Sequence, residues 1–180
     1  MKTTVEEFMA LPSSPAAVPQ ELRHGELIQT PPVKHLYTRA QRSLILALQR
    51  ALDGRYLVEK EFPFRPLPQY EVWVADVALV DSVRDQDTPD NDYFRGVPEI
   101  VIEVLSPSNT ASEMLEREAI CLHNGAREFW LCDPLQRSLK VTTVAGQTRI
   151  FGIGDTLQMT GFGQPIVLAD LFLTSPPPKS

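Results

Sequence analysis

Two carboxylates stand where the surrounding sequence is otherwise apolar. Asp76 interrupts the run 72–80 (VWVADVALV) and Glu103 interrupts the run 99–105 (EIVIEVL). An ionised acid in an apolar strand costs several kcal/mol unless it is paired or binds a cation. For each acid alone, a strand end or a partner arginine in the core is a sufficient account. Two such acids on two successive buried strands point instead to a shared purpose. Neighbouring strands lie about 4.8 Å apart, so two facing carboxylates can share one divalent cation. Hard oxygen donors suit Mg²⁺ or Mn²⁺. Such an ion serves attack on a phosphodiester, because it activates water and neutralises phosphate charge.

A third element follows on the next helix. Glu113, Arg117 and Cys121 are spaced i, i+4, i+8 and form one inclined row. Arg117 can reach the sheet edge from there, although spacing alone favours an exposed ion pair with Glu113 worth a few tenths of a kcal/mol. On that basis, Arg117→Ala is expected to leave folding nearly unchanged. Beside the row lies an apolar arc of Ala111, Met114, Leu115, Ala119 and Leu122, with Glu118 inside it as a sign of a buried ion pair or an interface. His24, His35 and His123 lack the spacing of metal-binding histidines. Ser106-Pro107-Ser108 lacks the glycines of a nucleophile elbow, and no glycine-rich phosphate loop is present.

The elements that must position these residues follow from periodicity. Apolar positions Leu36, Ala40, Leu44, Leu48 and Leu52 recur every four residues, predicting a helix over 33–52 with Gly54 as a left-handed cap. Strands are expected at 56–64, 72–80, 99–105, 127–132 and 139–144, and a second long helix at 110–124. The acidic segment 81–92 reads as a solvated loop, His24-Gly25 as a tight hairpin turn, 168–173 as a final turn, and Thr3 or Thr4 as a helix cap. The resulting fold class is α/β (α+β), a mixed β-sheet core flanked by helices.

With 180 residues, 43% of them hydrophobic, the chain suits one globular domain. It divides into a short helix and proline-rich lead-in (1–20), the domain itself (21–173) and a frayed tail (174–180). No apolar run approaches the roughly 18 residues of a membrane span. Two cysteines make no disulfide framework, and two glutamates stand where a secretory signal is apolar, so a cytoplasmic location is expected. The net charge of −6 excludes a protein that coats duplexes through a broad basic surface. Any nucleic-acid chemistry must be local and metal-assisted.

Several stretches resemble one family. Gly25-Glu26-Leu27, Pro31-Pro32 and His35 at the head of a long helix look like the start of the Uma family of restriction endonucleases, within the PD-(D/E)XK nuclease superfamily. Ala75-Asp76-Val77 is similar to its Pro-Asp-Val strand. Gly96-Val97-Pro98-Glu99 leading to Glu103-Val104-Leu105-Ser106-Pro107-Ser108, then Gly125 through Pro134, resembles its most recognisable stretches, and Leu168-Ala169-Asp170-Leu171-Phe172 its close. The resemblance implies a restriction-endonuclease-like fold and a metal-dependent DNA endonuclease. It implies Asp76 and Glu103 as ligands of Mg²⁺ or Mn²⁺, Glu26 and His35 near the site, and a homodimer that cuts both strands. It also places Arg117 where the family carries a lysine, Glu113 at its aspartate and Cys121 at its tyrosine. Arginine keeps the charge but cannot give up a proton. The alternatives are a catalytically degenerate nuclease fold that binds nucleic acid or protein, and an interaction domain without a nucleic-acid role.

Overall fold

A computed structural model describes residues 2–11, 20–29 and 34–172. The proline-rich segment 12–19, Pro31, Pro32, Val33 and the tail from 173 lie outside the described residues, and so do the expectations that fall on them.

Helix α1 (Val5–Met9) opens the chain. Thr4 caps it in a reciprocal box with Glu7, as the spacing predicts. Strands β1 (Gln20–Arg23) and β2 (Glu26–Gln29) form a hairpin whose turn residues, His24 and Gly25, both take positive φ (53° and 80°). At Gly25 a Cβ would also meet that of Lys2 at 2.7 Å.

Helix α2 (His35–Ala51) follows, then β3 (Tyr56–Arg65), β4 (Trp73–Asp81), the short helix α3 (Ser82–Gln86), β5 (Phe94–Arg95) and β6 (Ile100–Val104). Helix α4 (Ala111–His123) leads to β7 (Glu128–Asp133), β8 (Ser138–Thr143) and β9 (Thr148–Phe151). A small β10–β11 pair (Thr156–Leu157 and Ile166–Val167) and a 3₁₀ turn, Leu168–Phe172, close the domain. Seven strands form one mixed sheet in the order β5-β3-β4-β6-β7-β8-β9. The parallel pair β6–β7 requires a crossover, and α4 supplies it.

The two sheet faces carry separate cores, as alternation along the strands demands. Val77, Leu79, Ile100, Ile102 and Trp130 pack with Leu44 and Leu48 of α2. Val80, Val101 and Phe129 pack with Cys121 of α4 on the other face. The predicted fold class and both buried strands are therefore observed.

Three local expectations are corrected. Helix α2 does not end in a left-handed glycine: Leu52 leaves it in extended conformation (φ −74°, ψ 149°), and its N–H still bonds Leu48 O. Leu52 then pairs with Gly163, which packs so close that a Cβ would lie 2.1 Å from the carbonyl oxygen of Ala51. The segment after β4 is not all loop, because the Asp81 side chain accepts from Val83 N and caps α3. The predicted apolar arc of α4 coincides with its inner face only at Met114 and, in part, Leu122. Met114, Arg117 and Cys121 are the buried residues, whereas Leu115 is 62% exposed. Glu118, inside that arc, accepts from Lys140 Nζ at 2.9 Å and from Thr142 Oγ1 at 3.1 Å, so it is a half-buried ion pair.

Candidate active site

The β4–β6 ladder holds Val77 opposite Ile102 and then stops. One step beyond lie Asp76 and Glu103. Both line a cavity of about 450 Å³ where this ladder ends, together with Glu21, Arg23, Glu113 and Arg117. Where the ladder stops, Asp76 takes over the bonding. Its Oδ2 accepts from the backbone N–H of Val104 at 2.7 Å, and its Oδ1 from Gln41 Nε2 of α2 at 2.9 Å. Gln41 is fully buried, and its own Oε1 has no partner.

Arg117 is 3% exposed and does not pair with Glu113. Its Nη2 donates to Glu103 Oε1 at 2.8 Å and to the carbonyl of Val74 at 2.9 Å. Its Nη1 donates to both carboxylate oxygens of Glu21 at 3.2 Å. The guanidinium lies over the ring of Trp73, 5.0 Å from its centroid. Its Nε is buried without a partner. The core arginine that could excuse a buried glutamate thus exists, and it excuses Glu103. Removing it would leave Glu103 without a charged partner and strip Glu21 of one of its two arginines, so Arg117→Ala cannot be neutral for folding as the surface ion-pair account implied.

Glu21 is the residue that sequence reasoning missed. The hairpin is stitched to the start of β4 by paired bonds between Leu22 and Val72, 2.8 and 2.9 Å. That stitch carries Glu21 to the backbone N–H of Val74, which donates to it at 2.6 Å. Arg23 Nε donates to the other oxygen at 2.6 Å, and Arg23 also pairs with Glu113. At the turn, His24 sets its two ring nitrogens against Glu71 (3.1 Å) and Glu116 of α4 (2.9 Å). Glu26 and His35 are exposed and are not among the residues lining the cavity. The strand that carries Glu26 is exposed over most of its length, and the start of α2 presents Lys34 and Tyr37 to the cavity instead.

Electrostatics follow the geometry. Burial, reinforced by Asp76 and Glu21, pushes the Glu103 carboxyl up to about 8 despite the favourable Arg117. Burial also raises Asp76. Glu21 is likewise penalised by burial, but Arg117, Arg23 and the Val74 N–H outweigh it and its pKa falls. Burial lowers that of Arg117, but Glu103 and Glu21 raise it further, so it stays charged.

The donor chemistry fits a hard divalent cation. Four carboxylates line the cavity against two guanidiniums and Lys34, and burial holds two of the acids, Asp76 and Glu103, above their ordinary range. Among the described residues, no group of three or more His, Cys, Asp or Glu side chains is arranged as a metal cage. Asp76 and Glu103 could hold such an ion as a pair, with water completing its shell, the usual manner for Mg²⁺.

Comparison with known proteins agrees with this architecture. A nuclease-like α/β/α fold is shared with a crystal structure from Anabaena variabilis ATCC 29413 described as "a putative nuclease belonging to DUF820". The two superpose with a TM-score of 0.76 over 94% of this chain and 97% of that chain, at 21% identity, which speaks for the fold alone. The family model Uma2, described as "Putative restriction endonuclease", matches residues 5–166, and the chain belongs to that family. No curated protein matches the chain. No helix among the described residues is long and apolar enough to cross a membrane.

Proposed function

We propose that this chain is a metal-dependent endonuclease that hydrolyses phosphodiester bonds in DNA, with Asp76 and Glu103 as the ligands of Mg²⁺ or Mn²⁺. The observation that carries this is that both acids, one step past the last β4–β6 pair, line one cavity with Arg117. Membership of the family supports the same reaction class.

The bound ion would supply an activated water and neutralise charge on the phosphate. The chain's own residues do the rest. Gln41 and the Val104 N–H fix the Asp76 carboxylate from two directions, so it needs no reorganisation to bind. Arg117 supplies fixed positive charge beside the reacting phosphate and moves no proton. The cavity's four carboxylates outnumber its three cations, so attraction for a phosphate backbone would depend on the bound ion, with exposed Lys34 beside it.

Supercoiled plasmid incubated with the purified chain in Mg²⁺ or Mn²⁺ tests the proposal. Nicking that EDTA abolishes, and that Asp76→Asn abolishes, is expected. Intact plasmid in both metals overturns it. A second reading then takes first place, a nuclease fold that binds nucleic acid or protein without cutting. It is favoured by one observation: both terminal nitrogens of Arg117 are already spent on Glu21, Glu103 and the Val74 carbonyl. Salt-dependent DNA binding without cleavage separates it from an interaction domain with no nucleic-acid role.

A further inference from the structure

We propose that Glu21 is a positioning residue for Arg117, retaining the guanidinium when a divalent cation draws Glu103 away, so that cation entry and the release of Glu103 by Arg117 are one exchange. The inference rests on the metal-site reading above and adds a partner to it.

Arg117 has two carboxylate anchors of unequal character. Glu21 is gripped by the Val74 backbone N–H, by Arg23 Nε and by Arg117 Nη1. Arg23 is in turn pinned to Glu113 of α4. Glu21 is therefore built into the junction between the hairpin, β4 and α4, and cannot leave with a ligand. Glu103 stands one step past the last β4–β6 pair, and Arg117 Nη2 reaches its Oε1 at 2.8 Å. A cation seated between Asp76 and Glu103 competes for that carboxylate with Arg117, a resident positive charge.

The competition is tolerable only if the displaced guanidinium keeps a counter-ion. Three of its hydrogen bonds persist without Glu103: those from Nη1 to both Glu21 oxygens and that from Nη2 to the Val74 carbonyl. Trp73 beneath the guanidinium keeps its level fixed. The exchange also frees part of Nη2, which otherwise has no capacity for a phosphate. A single anchor would force a choice between an arginine lost to solvent and a cation kept out. Two anchors allow both positive charges to occupy the site.

Mn²⁺ binding, measured by calorimetry on the full chain, tests this through a double-mutant cycle. Arg117→Met removes the resident charge and should tighten Mn²⁺ binding, while Glu21→Gln should weaken it. The decisive quantity is the loss caused by Glu21→Gln in the two backgrounds. If Glu21 acts through Arg117, the loss should be about tenfold greater with Arg117 present than in Arg117→Met, the coupling expected within one ion-pair network. Equal losses would mean that Glu21 contributes only its field, and would overturn the inference while leaving the metal site intact. Absence of Mn²⁺ binding by the parent would overturn the metal-site reading and this inference with it. Should Arg117→Met fail to fold, Arg117→Gln keeps a donor for Glu21 and serves the same cycle.

Discussion

Glu103→Gln is the substitution whose consequences the structure specifies most closely, and they do not depend on activity. Burial and the neighbouring acids lift the Glu103 carboxyl from about 4.5 in the unfolded chain to about 8 in the folded one. An acid whose folded pKa is raised binds its proton more tightly when folded, so its contribution is fully present below pH 4.5. It is lost as pH rises towards 8, where the folded protein must finally release the proton. At about 1.4 kcal/mol per pKa unit, the metal-free parent should lose roughly 3–5 kcal/mol between pH 5 and pH 8.5. Glutamine is an isostere of the protonated carboxyl and can still accept from Arg117, whose charge Glu21 continues to balance. The variant should therefore match the parent at pH 5 and exceed it at pH 8.5. Urea unfolding in EDTA at the two pH values measures the difference, in which groups remote from the site cancel. Millimolar Mg²⁺ at pH 8.5 should restore the parent and do far less for the variant. Parallel loss of stability in parent and variant would refute the reasoning, because Glu103 would then titrate as an ordinary surface acid.

Arg117→Ala should lower cleavage by orders of magnitude and also cost about 3–5 kcal/mol in unfolding experiments, since Glu21 and Glu103 lose a shared buried partner. Arg117→Lys keeps the charge and should retain or raise the cleavage rate, so a lysine variant as inactive as the alanine one would count against a charge-stabilising role. Gly163→Ala drives a methyl into the Ala51 carbonyl at the join of α2 and the C-terminal segment, and should destabilise by about 1–3 kcal/mol or more without touching the site. We propose a homodimer, as the family resemblance implies, so light scattering at high concentration should give about twice 20.2 kDa. A monomer mass would count against it.

The strands that carry the candidate site were the most legible part of the chain. VWVADVALV and EIVIEVL are apolar on both faces because α2 covers one side of the sheet and α4 the other. Helix ends were read to within a few residues, for Thr110 caps α4 as its type suggests. The face of α4 was misread for a reason that lies in the side chains. Hydropathy places Leu115 inside and Arg117 outside, but a guanidinium facing two carboxylates, a carbonyl and an indole ring loses little by burial. Gly54 was misread because Leu52 turns away in extended form to pair with Gly163, a contact more than a hundred residues distant that no local pattern records.

The same distinction separates Asp76 and Glu103 from Glu21. An acid inside an apolar run is an anomaly visible in one dimension, since the run itself declares the burial. Glu21 lies in QELR, a short polar strand where a glutamate needs no explanation. Its burial comes from the stitch between Leu22 and Val72, and its partner Arg117 is 96 residues away. The signal that could have found it is one of charge. Once two buried acids and one reachable arginine are placed together, the arginine has two terminal nitrogens to satisfy and Glu103 can occupy only one of them. A further acceptor has to approach from outside the β4–α4 unit. The hairpin before α2 is the element stitched to the head of β4, and within it the residue next to the buried Leu22 is the acid that β4 receives.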